Sequence, residues 1–230
     1  MNDRKEQLLN LLVENYIKTA EPIGSRFLLT ASKLDIGEAT VRNDLRALEE
    51  EGYLTHPHTS AGRIPTEKGY RFYLEDLRME KERLTKRENE VLSRALSKKD
   101  QNYIQARKGM AKEMADVSDM AVMVAFSDDS VYYTGLSKLF SQPEFQETDL
   151  VASVSQVFDN CDECLGDFFE VVDENTKVYV GGENPFGERM SIIASKFEGE
   201  GQTGTLLVIG PIRQNYKKNF ALINRIKEII

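Results

Sequence analysis

The sequence of 230 residues is poor in metal-binding side chains, with only two cysteines and two histidines. Cys161 and Cys164 form a single Cys-x-x-Cys pair within a predicted helix, and no second pair of ligands accompanies them. Reduced helical thiols are therefore favoured over a redox pair or half of a zinc site. His56 and His58 have no cluster of Cys, Asp or Glu around them, which favours a strand or phosphate-contact role. We expect neither a metal nor a cofactor.

Long apolar runs and catalytic constellations are also missing. No stretch reaches the roughly 18–20 continuous apolar residues that span a bilayer. Residues 1–5, Met-Asn-Asp-Arg-Lys, lead into an amphipathic helix rather than the apolar core of a signal peptide, so a cytoplasmic location is expected. Because the sequence offers no convincing nucleophile–base pair and no carboxylate–metal cluster, we predict no enzymatic activity.

The segment from Gly37 to Gly52 has the periodicity of an amphipathic helix, at about 100° per residue. Its buried stripe is predicted to contain Val41, Leu45 and Leu48. Near the helix N-terminus, the candidate DNA contacts are Ala39, Thr40, Arg42, Asn43 and Arg46. Arginine can form two hydrogen bonds with guanine and asparagine two with adenine, so this side is suited to contacting bases. For this segment alone, an ordinary surface helix with solvated arginines is the alternative.

Residues 55–66 are predicted to form two short strands around a small polar tip. The candidate phosphate contacts of this hairpin are His58, Thr59, Ser60 and the amide of Gly62. Arg63 can bind a phosphate or enter the minor groove. A helix followed directly by such a hairpin is the winged helix-turn-helix arrangement that binds duplex DNA. Sequence-directed DNA binding is therefore the leading hypothesis.

Three further helices complete the predicted N-terminal domain. Residues 5–19 have helical apolar spacing. The second helix is opened by Pro22-Ile-Gly-Ser25, with Ser25 or Gly24 as its candidate cap, and is expected to bury Phe27, Leu28 and Leu29. Thr66 is predicted to cap the helix that follows the hairpin.

The formal net charge of −8 is distributed unevenly along the chain. Residues 1–78 carry −2, residues 79–118 carry +3 and residues 119–230 carry −9. We interpret these segments as a winged-helix domain, a connecting helix and a C-terminal α+β domain. Since residues 1–78 are not basic overall, specific binding should depend on a few well-placed arginines and on two half-sites.

The C-terminal segment alternates predicted strands and helices, in outline an α+β sandwich. Strands are predicted at Ala121–Phe126, Val131–Leu136, Lys177–Val180, Met190–Ser195 and Thr205–Ile209, and helices at Thr148–Val171 and Tyr216–Ile230. The predicted connecting helix, 79–118, has a broken apolar stripe. It fits either a solvated connector or a helix that pairs with its copy in a dimer, and both alternatives remain open.

The chain resembles the HrcA heat-shock repressors. In the N-terminal domain the similar motifs are Glu21-Pro-Ile-Gly-Ser25, Ala39-Thr-Val-Arg-Asn-Asp44 and Pro57-His-Thr-Ser-Ala-Gly-Arg-Ile-Pro-Thr66, followed by Gly69-Tyr-Arg71. In the C-terminal domain they are Tyr133-Thr-Gly-Leu-Ser137, Gln142-Pro-Glu-Phe145, Gly182-Glu-Asn-Pro185 and Val208-Ile-Gly-Pro211. The hairpin motif is specific, whereas the C-terminal motifs are individually weak but occur in the order of the family.

The resemblance implies a homodimeric repressor of chaperone operons that binds an inverted-repeat operator. It also implies that the chaperonin GroEL helps to keep the repressor active. When unfolded proteins occupy the chaperonin, the repressor loses activity and the operon is released. For the C-terminal domain, the resemblance implies a GAF-like fold.

One departure from the family pattern concerns dimerisation. Typical members are considerably longer and carry a dimerisation domain inserted within the GAF-like domain. Here only a turn, residues 127–130, separates the strands predicted at 121–126 and 131–136. The inserted domain is therefore expected to be absent, and another surface would have to form the dimer.

Two other functions remain open from the sequence. The winged domain could serve protein–protein assembly instead of DNA binding. Alternatively, the C-terminal domain could respond to a ligand, or to oxidation of Cys161 and Cys164, and so control the expression of other genes.

Overall fold

A computed structural model of the chain describes residues 1–32, 34, 36–57, 61–77, 84–96, 103–126, 130–199 and 202–230. The chain divides into two compact units, Met1–Glu80 and Lys81–Ile230. Helices and strands occur in both units, which confirms the predicted mixed α+β fold class. No helix in the described part of the chain is long and apolar enough to cross a membrane.

The N-terminal unit contains helices packed around a small antiparallel sheet. In chain order its elements are α1 (Asp3–Thr19), α2 (Ser25–Ala31), α3 (Glu38–Glu50), β1 (Leu54–Thr55), β2 (Ile64–Pro65) and α4 (Glu67–Leu77). α1 packs against α2, α3, α4 and β2. The fully buried side chains of α1 are Leu8, Leu9, Leu12 and Val13. The core of this unit is therefore centred on α1.

The ends of the N-terminal helices follow from local chemistry. Asn2 Oδ1 accepts a hydrogen bond of 2.9 Å from the backbone N–H of Lys5, which satisfies a free amide of the first turn of α1. After α3, Gly52 has a φ of 79°, in the left-handed region where glycine is favoured. Thr66 Oγ1 accepts from the N–H of Gly69 at 3.2 Å. The predicted helix stop at Gly52 and the cap at Thr66 are thus confirmed.

The core of α2 differs from the prediction. Leu28 is fully buried, but Phe27 is 47% exposed. Adjacent helical residues lie about 100° apart around the axis, so a helix that packs through Leu28 turns Phe27 away from the core. Our placement of Phe27 in the core is therefore wrong.

The C-terminal unit is a five-stranded sheet with helices on both faces. Its elements are α5 (Lys86–Leu96), α6 (Tyr103–Ser118), β3 (Ala121–Phe126), β4 (Val131–Thr134), α7 (Leu136–Phe140), α8 (Thr148–Asp159), α9 (Cys161–Val171), β5 (Lys177–Val180), β6 (Met190–Gly199), β7 (Gln202–Pro211) and α10 (Tyr216–Ile229), with short 3₁₀ turns at Pro143–Gln146 and Gly181–Glu183. The strand order is β4-β3-β7-β6-β5, and every neighbouring pair is antiparallel.

Both faces of this sheet are covered. On one face, Met123 of β3, Ile192 of β6 and Leu207 of β7 share a core cluster with Val154 of α8 and Leu165 of α9. On the other face, α6 packs against β3, and α10 packs against β6 and β7. Every residue of β3 is therefore buried, as expected for a central strand with helices on both sides.

The segment predicted as one connecting helix contains two helices, α5 and α6. α5 packs against α6 and α10, and Leu92 of α5 is fully buried. Glu88 of α5 also pairs with Lys218 of α10 at 2.8 Å. Part of the apolar stripe is thus used inside the C-terminal unit, and pairing of this segment in a dimer stays a prediction.

Two other predicted elements end earlier than expected. The helix predicted over Thr148–Val171 is interrupted at Asn160, whose φ of −120° and ψ of 42° are not helical, and α9 begins at the next residue. The strand predicted to reach Leu136 ends at Thr134. Gly135 follows with a φ of 84°, and a Cβ at this position would lie 2.5 Å from the carbonyl oxygen of Met120.

β3 and β4 are direct neighbours in the sheet, pairing residues 122–125 with residues 131–134. The N–H of Phe126 donates to the carbonyl oxygen of Ser130 at 2.8 Å. Because only residues 127–130 join the two strands, this chain has no inserted domain between them.

Candidate nucleic-acid interface

The two sides of α3 differ in burial as the periodicity predicts. Val41, Leu45 and Leu48 are fully buried. The exposed residues of the predicted DNA-contacting side are Ala39, Arg42, Asn43 and Arg46, and Thr40 is half-buried. The folded domain therefore presents one alanine, two arginines and one asparagine together on the first turns of an exposed helix face.

An ion pair between a half-exposed arginine and a buried aspartate fixes α3 against α1. Arg4 donates to both carboxylate oxygens of Asp44, through Nε at 2.6 Å and through a terminal nitrogen at 3.0 Å. Asp44 is only 5% exposed, and a carboxylate removed from water needs a paired cation. This hydrogen bond, together with the charge of Asp44, raises the pKa of Arg4 above its ordinary value.

Sequence reasoning missed this ion pair. The signal for it was Asp44 itself, a carboxylate between Val41 and Leu45 on the apolar stripe. Lys5 makes a second link between α1 and α3 by donating to Glu51 at 2.8 Å, and this hydrogen bond lowers the pKa of Glu51. The first turn of α1 thus contacts the middle and the C-terminal end of α3.

The two exposed arginines of α3 have partners one turn away on the same helix. Arg42 pairs with Glu38 at 2.7 Å, and Arg46 pairs with Glu50 at 3.0 Å. The arginine side chains are 68% and 76% exposed, respectively. Solvent-exposed pairs of this kind contribute little stability, so both arginines can exchange a carboxylate for a base or a phosphate at low cost.

Gly62 has a packing role at the base of the hairpin. A Cβ at this position would lie 2.6–2.8 Å from backbone atoms of Ile23. Only glycine allows such a close backbone approach. The predicted phosphate contact by its amide stays a prediction. His58, Thr59 and Ser60 lie outside the described residues, so their predicted contacts also stay predictions.

Arg63 is held at the junction between the hairpin and α3. Its backbone exchanges two hydrogen bonds of 2.9 Å with Ile23. Its guanidinium donates to Glu49 Oε2 at 3.0 Å, and the Arg63 side chain is only 24% exposed. Glu49 Oε1 also lies 2.6 Å from His56 Nδ1. The sequence identified Arg63 as a candidate contact but gave no sign of Glu49 as its partner.

The cysteines of the C-terminal unit lie in the first turn of α9. Cys161 is buried, Cys164 is exposed, and both are free thiols. The Cys161 thiol donates to the carbonyl oxygen of Phe158 at 2.9 Å. Across the described ranges, no group of three or more His, Cys, Asp or Glu side chains is arranged to hold a metal ion.

An open groove of about 670 Å³ lies in the same unit, between α9 and the sheet. The residues that line it include the aromatic Phe126 and Phe169 and the charged Lys196, Asp167 and Glu170. A groove with apolar walls and a few charged groups has the general character of a small-molecule site.

Two family models match consecutive parts of the chain. A model of the ribonuclease R winged-helix domain matches residues 8–72, and the model of the HrcA protein C-terminal domain matches residues 73–219. A crystal structure described as that of a hypothetical protein has a TM-score of 0.81, covering 100% of this chain and 98% of that one at 19% identity. At that identity the likeness shows the fold alone.

Curated relatives agree with these matches. The heat-inducible transcription repressor HrcA of Acetivibrio thermocellus is 41% identical over 128 residues, 56% of this chain and 36% of the relative. The chain therefore spans about a third of the length of this relative. The repressor of the same name from Halalkalibacterium halodurans is 24% identical over 331 aligned positions, 99% of this chain and 96% of the relative.

The second alignment is longer than the chain itself, which has 230 residues. The relative thus carries residues that this chain lacks. Because the model of the HrcA C-terminal domain matches more than half of the sequence, the chain belongs to the HrcA family.

Proposed function

We propose that the chain is a sequence-specific DNA-binding repressor of heat-shock and chaperone genes that acts in the cytoplasm. The observation that carries this proposal is the exposed face of α3, where Ala39, Arg42, Asn43 and Arg46 lie beside a two-stranded hairpin. The order of three helices and a hairpin, and the winged-helix match to residues 8–72, support a winged helix-turn-helix. Relatives named heat-inducible transcription repressors support the choice of genes.

In this proposal the first turns of α3 enter the major groove. Arg42 would donate two hydrogen bonds to a guanine, and Asn43 would pair with an adenine. Ala39 is small enough to let the helix approach closely or to contact a thymine methyl. The hairpin would lie along the adjacent backbone, where its contacts position the helix without selecting a sequence.

The operator is proposed to be an inverted repeat bound by a homodimer. Residues 1–78 carry a net charge of −2, so one N-terminal unit alone should bind DNA weakly, and two half-sites would supply the missing affinity. Without an inserted domain between β3 and β4, the dimer surface would have to lie elsewhere on the chain. For the C-terminal unit, the antiparallel sheet with helices on both faces supports a GAF-like domain.

Release on heat stress completes the proposal. Mild warming would lower the active fraction of the repressor through local unfolding, and GroEL would restore it. We expect operator binding to fall after mild warming and after depletion of the chaperonin. Unchanged binding after both treatments would argue against heat control in this form.

Fluorescence anisotropy at near-physiological salt tests the DNA-binding proposal. Three labelled duplexes are compared: an inverted repeat from a chaperone operon, a single half-site and a scrambled sequence. Tight, preferential binding to the full repeat is expected of a dimeric repressor. Equal and weak binding to all three would reject sequence-specific binding by the chain without a partner.

Replacing Arg42 with alanine should cost about 1–3 kcal/mol of binding free energy on the operator and relax selection at one base pair. The matched control is Arg94→Ala in α5, since Arg94 likewise pairs one turn away with Glu90 and is 78% exposed. The control should bind the operator like the unmodified protein. An equal loss of affinity on operator and scrambled duplex would contradict a base contact by Arg42.

Regulation by a small molecule is the second candidate function, and the groove beside α9 is the observation that favours it. In that case a bound compound, or oxidation of Cys161 and Cys164, should change operator affinity. In the remaining alternative, a winged domain for protein assembly, the combined change Arg42→Ala and Arg63→Ala would leave the assembly intact.

The double variant therefore tests the assembly alternative. Operator affinity with and without a compound or an oxidant tests the regulatory one.

A further inference from the structure

Glu49 lies where α3 meets the hairpin, and both of its carboxylate oxygens are engaged. Oε2 accepts a hydrogen bond from Nε of Arg63 at 3.0 Å, and a terminal nitrogen of the same guanidinium also lies 3.0 Å from it. Oε1 lies 2.6 Å from Nδ1 of His56. A single carboxylate therefore contacts both the proposed DNA-binding Arg63 and His56 of the hairpin.

The pair of Glu49 and Arg63 is less exposed than the other arginine pairs of this surface. The two side chains are 25% and 24% exposed, whereas those of Arg42 and Arg46 are 68% and 76% exposed. Water screens a charge pair less as the pair becomes buried. A phosphate must therefore compete much harder for Arg63 than for the arginines of the exposed face.

The hairpin does not depend on this ion pair for its position. The backbone of Arg63 exchanges two hydrogen bonds with Ile23, and β1 pairs with β2 in a defined register. Thr66 Oγ1 also donates to the carbonyl oxygen of Gly52 at 2.7 Å. Since backbone contacts already place the strand, Glu49 acts chiefly on the side chain of Arg63.

We propose that Glu49 is a specificity-determining residue that keeps Arg63 from contributing to the binding of DNA of any sequence. The inference rests on the proposed function, since it assumes that this surface faces DNA. A contact with phosphate adds affinity without distinguishing sequences. By occupying Arg63, Glu49 leaves binding dependent on the base contacts of α3.

Removal of the Glu49 charge should therefore strengthen non-specific binding. Each phosphate contact adds about 0.9 to the slope of log K against log salt, which corresponds to roughly fivefold in affinity at 0.15 M salt. We expect Glu49→Gln to bind a scrambled duplex about fivefold more tightly than the unmodified chain and to steepen its salt slope by about 0.9.

The experiment is an anisotropy titration of the full chain with the inverted-repeat operator and with a scrambled duplex, each at four salt concentrations. The variants are Glu49→Gln, Arg63→Gln and the combination of both. If Glu49 acts through Arg63, the gain and the steeper slope disappear in the Arg63→Gln background. The matched control is Glu50→Gln, which removes an equal charge one residue later. The partner of Glu50 is Arg46, whose side chain is already 76% exposed. Its salt slope should stay close to that of the unmodified chain.

Glu49→Asp provides a second variant in case Glu49→Gln folds poorly, which circular dichroism would detect. It keeps the negative charge but withdraws the carboxylate from Arg63, so a steeper slope is again expected. An unchanged slope in both variants, or a gain that persists without Arg63, would overturn the proposal.

The same titrations separate this proposal from the proposed function. Preferential binding of the unmodified chain to the operator, with no effect of Glu49→Gln on the salt slope, rejects only the role of Glu49. A slope change that depends on Arg63, without operator preference, rejects only the repressor function. Failure to bind any duplex rejects both.

Discussion

Replacing Glu144 with alanine is expected to lower the free energy of unfolding of the C-terminal unit by about 3–5 kcal/mol, the typical cost of breaking a buried ion pair. Arg213 donates to both oxygens of Glu144, through Nε at 2.6 Å and a terminal nitrogen at 3.2 Å. The side chains are 10% and 17% exposed. In the variant, the buried guanidinium would lose the carboxylate that neutralises it, and water could not replace that charge.

The matched control is Glu147→Ala, three residues along the chain. Glu147 also accepts from an arginine, Arg189, at 2.6 Å, but these side chains are 66% and 47% exposed. The hydrogen bond from Arg189 lowers the pKa of Glu147, so this pair stabilises the fold near pH 7 and is lost only as the pH falls through that lowered pKa. Glu147→Ala should therefore lower the free energy of unfolding far less than Glu144→Ala.

Urea denaturation of the full chain near pH 7, with hydrogen exchange of the β7 amides, would measure both effects. A double replacement, Glu144→Leu with Arg213→Met, should recover much of the stability, because apolar side chains of similar volume can replace a buried ion pair. Equal losses for Glu144→Ala and Glu147→Ala would contradict the importance of burial.

Gly69→Ala should destabilise the N-terminal unit by about 3 kcal/mol or more, at the upper end of the cost of overpacking. A Cβ at Gly69 would lie 2.3 Å from the carbonyl oxygen of Tyr53. This backbone atom directly precedes β1 and cannot move aside like a flexible side chain. The direction of this stability change is informative, because alanine in a helix is otherwise favoured over glycine by about 1 kcal/mol.

Gly109→Ala in α6 is the control for this prediction. No atom of the described residues lies within 4 Å of a Cβ added at Gly109, so helix propensity should dominate and the variant should gain about 1 kcal/mol. Thermal and urea unfolding would compare the two variants with the unmodified chain. A stabilised Gly69→Ala protein would show that α4 can shift away from Tyr53.

The sequence was sufficient to predict features that depend on local periodicity. The burial of Val41, Leu45 and Leu48 on α3 follows from helical spacing, and β3 and β5 have the predicted bounds. These predictions succeeded because spacing along one element determines which side chains share a face.

Contacts between distant parts of the chain could not be predicted in this way. The resemblance identified the motifs around Glu144 and Val208–Pro211 separately, but not the ion pair between Glu144 and Arg213, which are 69 residues apart. Likewise, Arg63 was identified without its partner Glu49, 14 residues earlier. Such pairs depend on how elements pack, and one sequence contains no direct signal for packing.

The link between α1 and α3 has a practical consequence for handling the protein. Arg4 and Lys5, which contact the middle and the end of α3, lie within the first five residues of the chain. A sample in which Arg4 or Lys5 is removed or replaced would therefore lose support of the helix proposed to recognise the operator. Binding measurements on such a sample would report this loss together with any change at the DNA-contacting face.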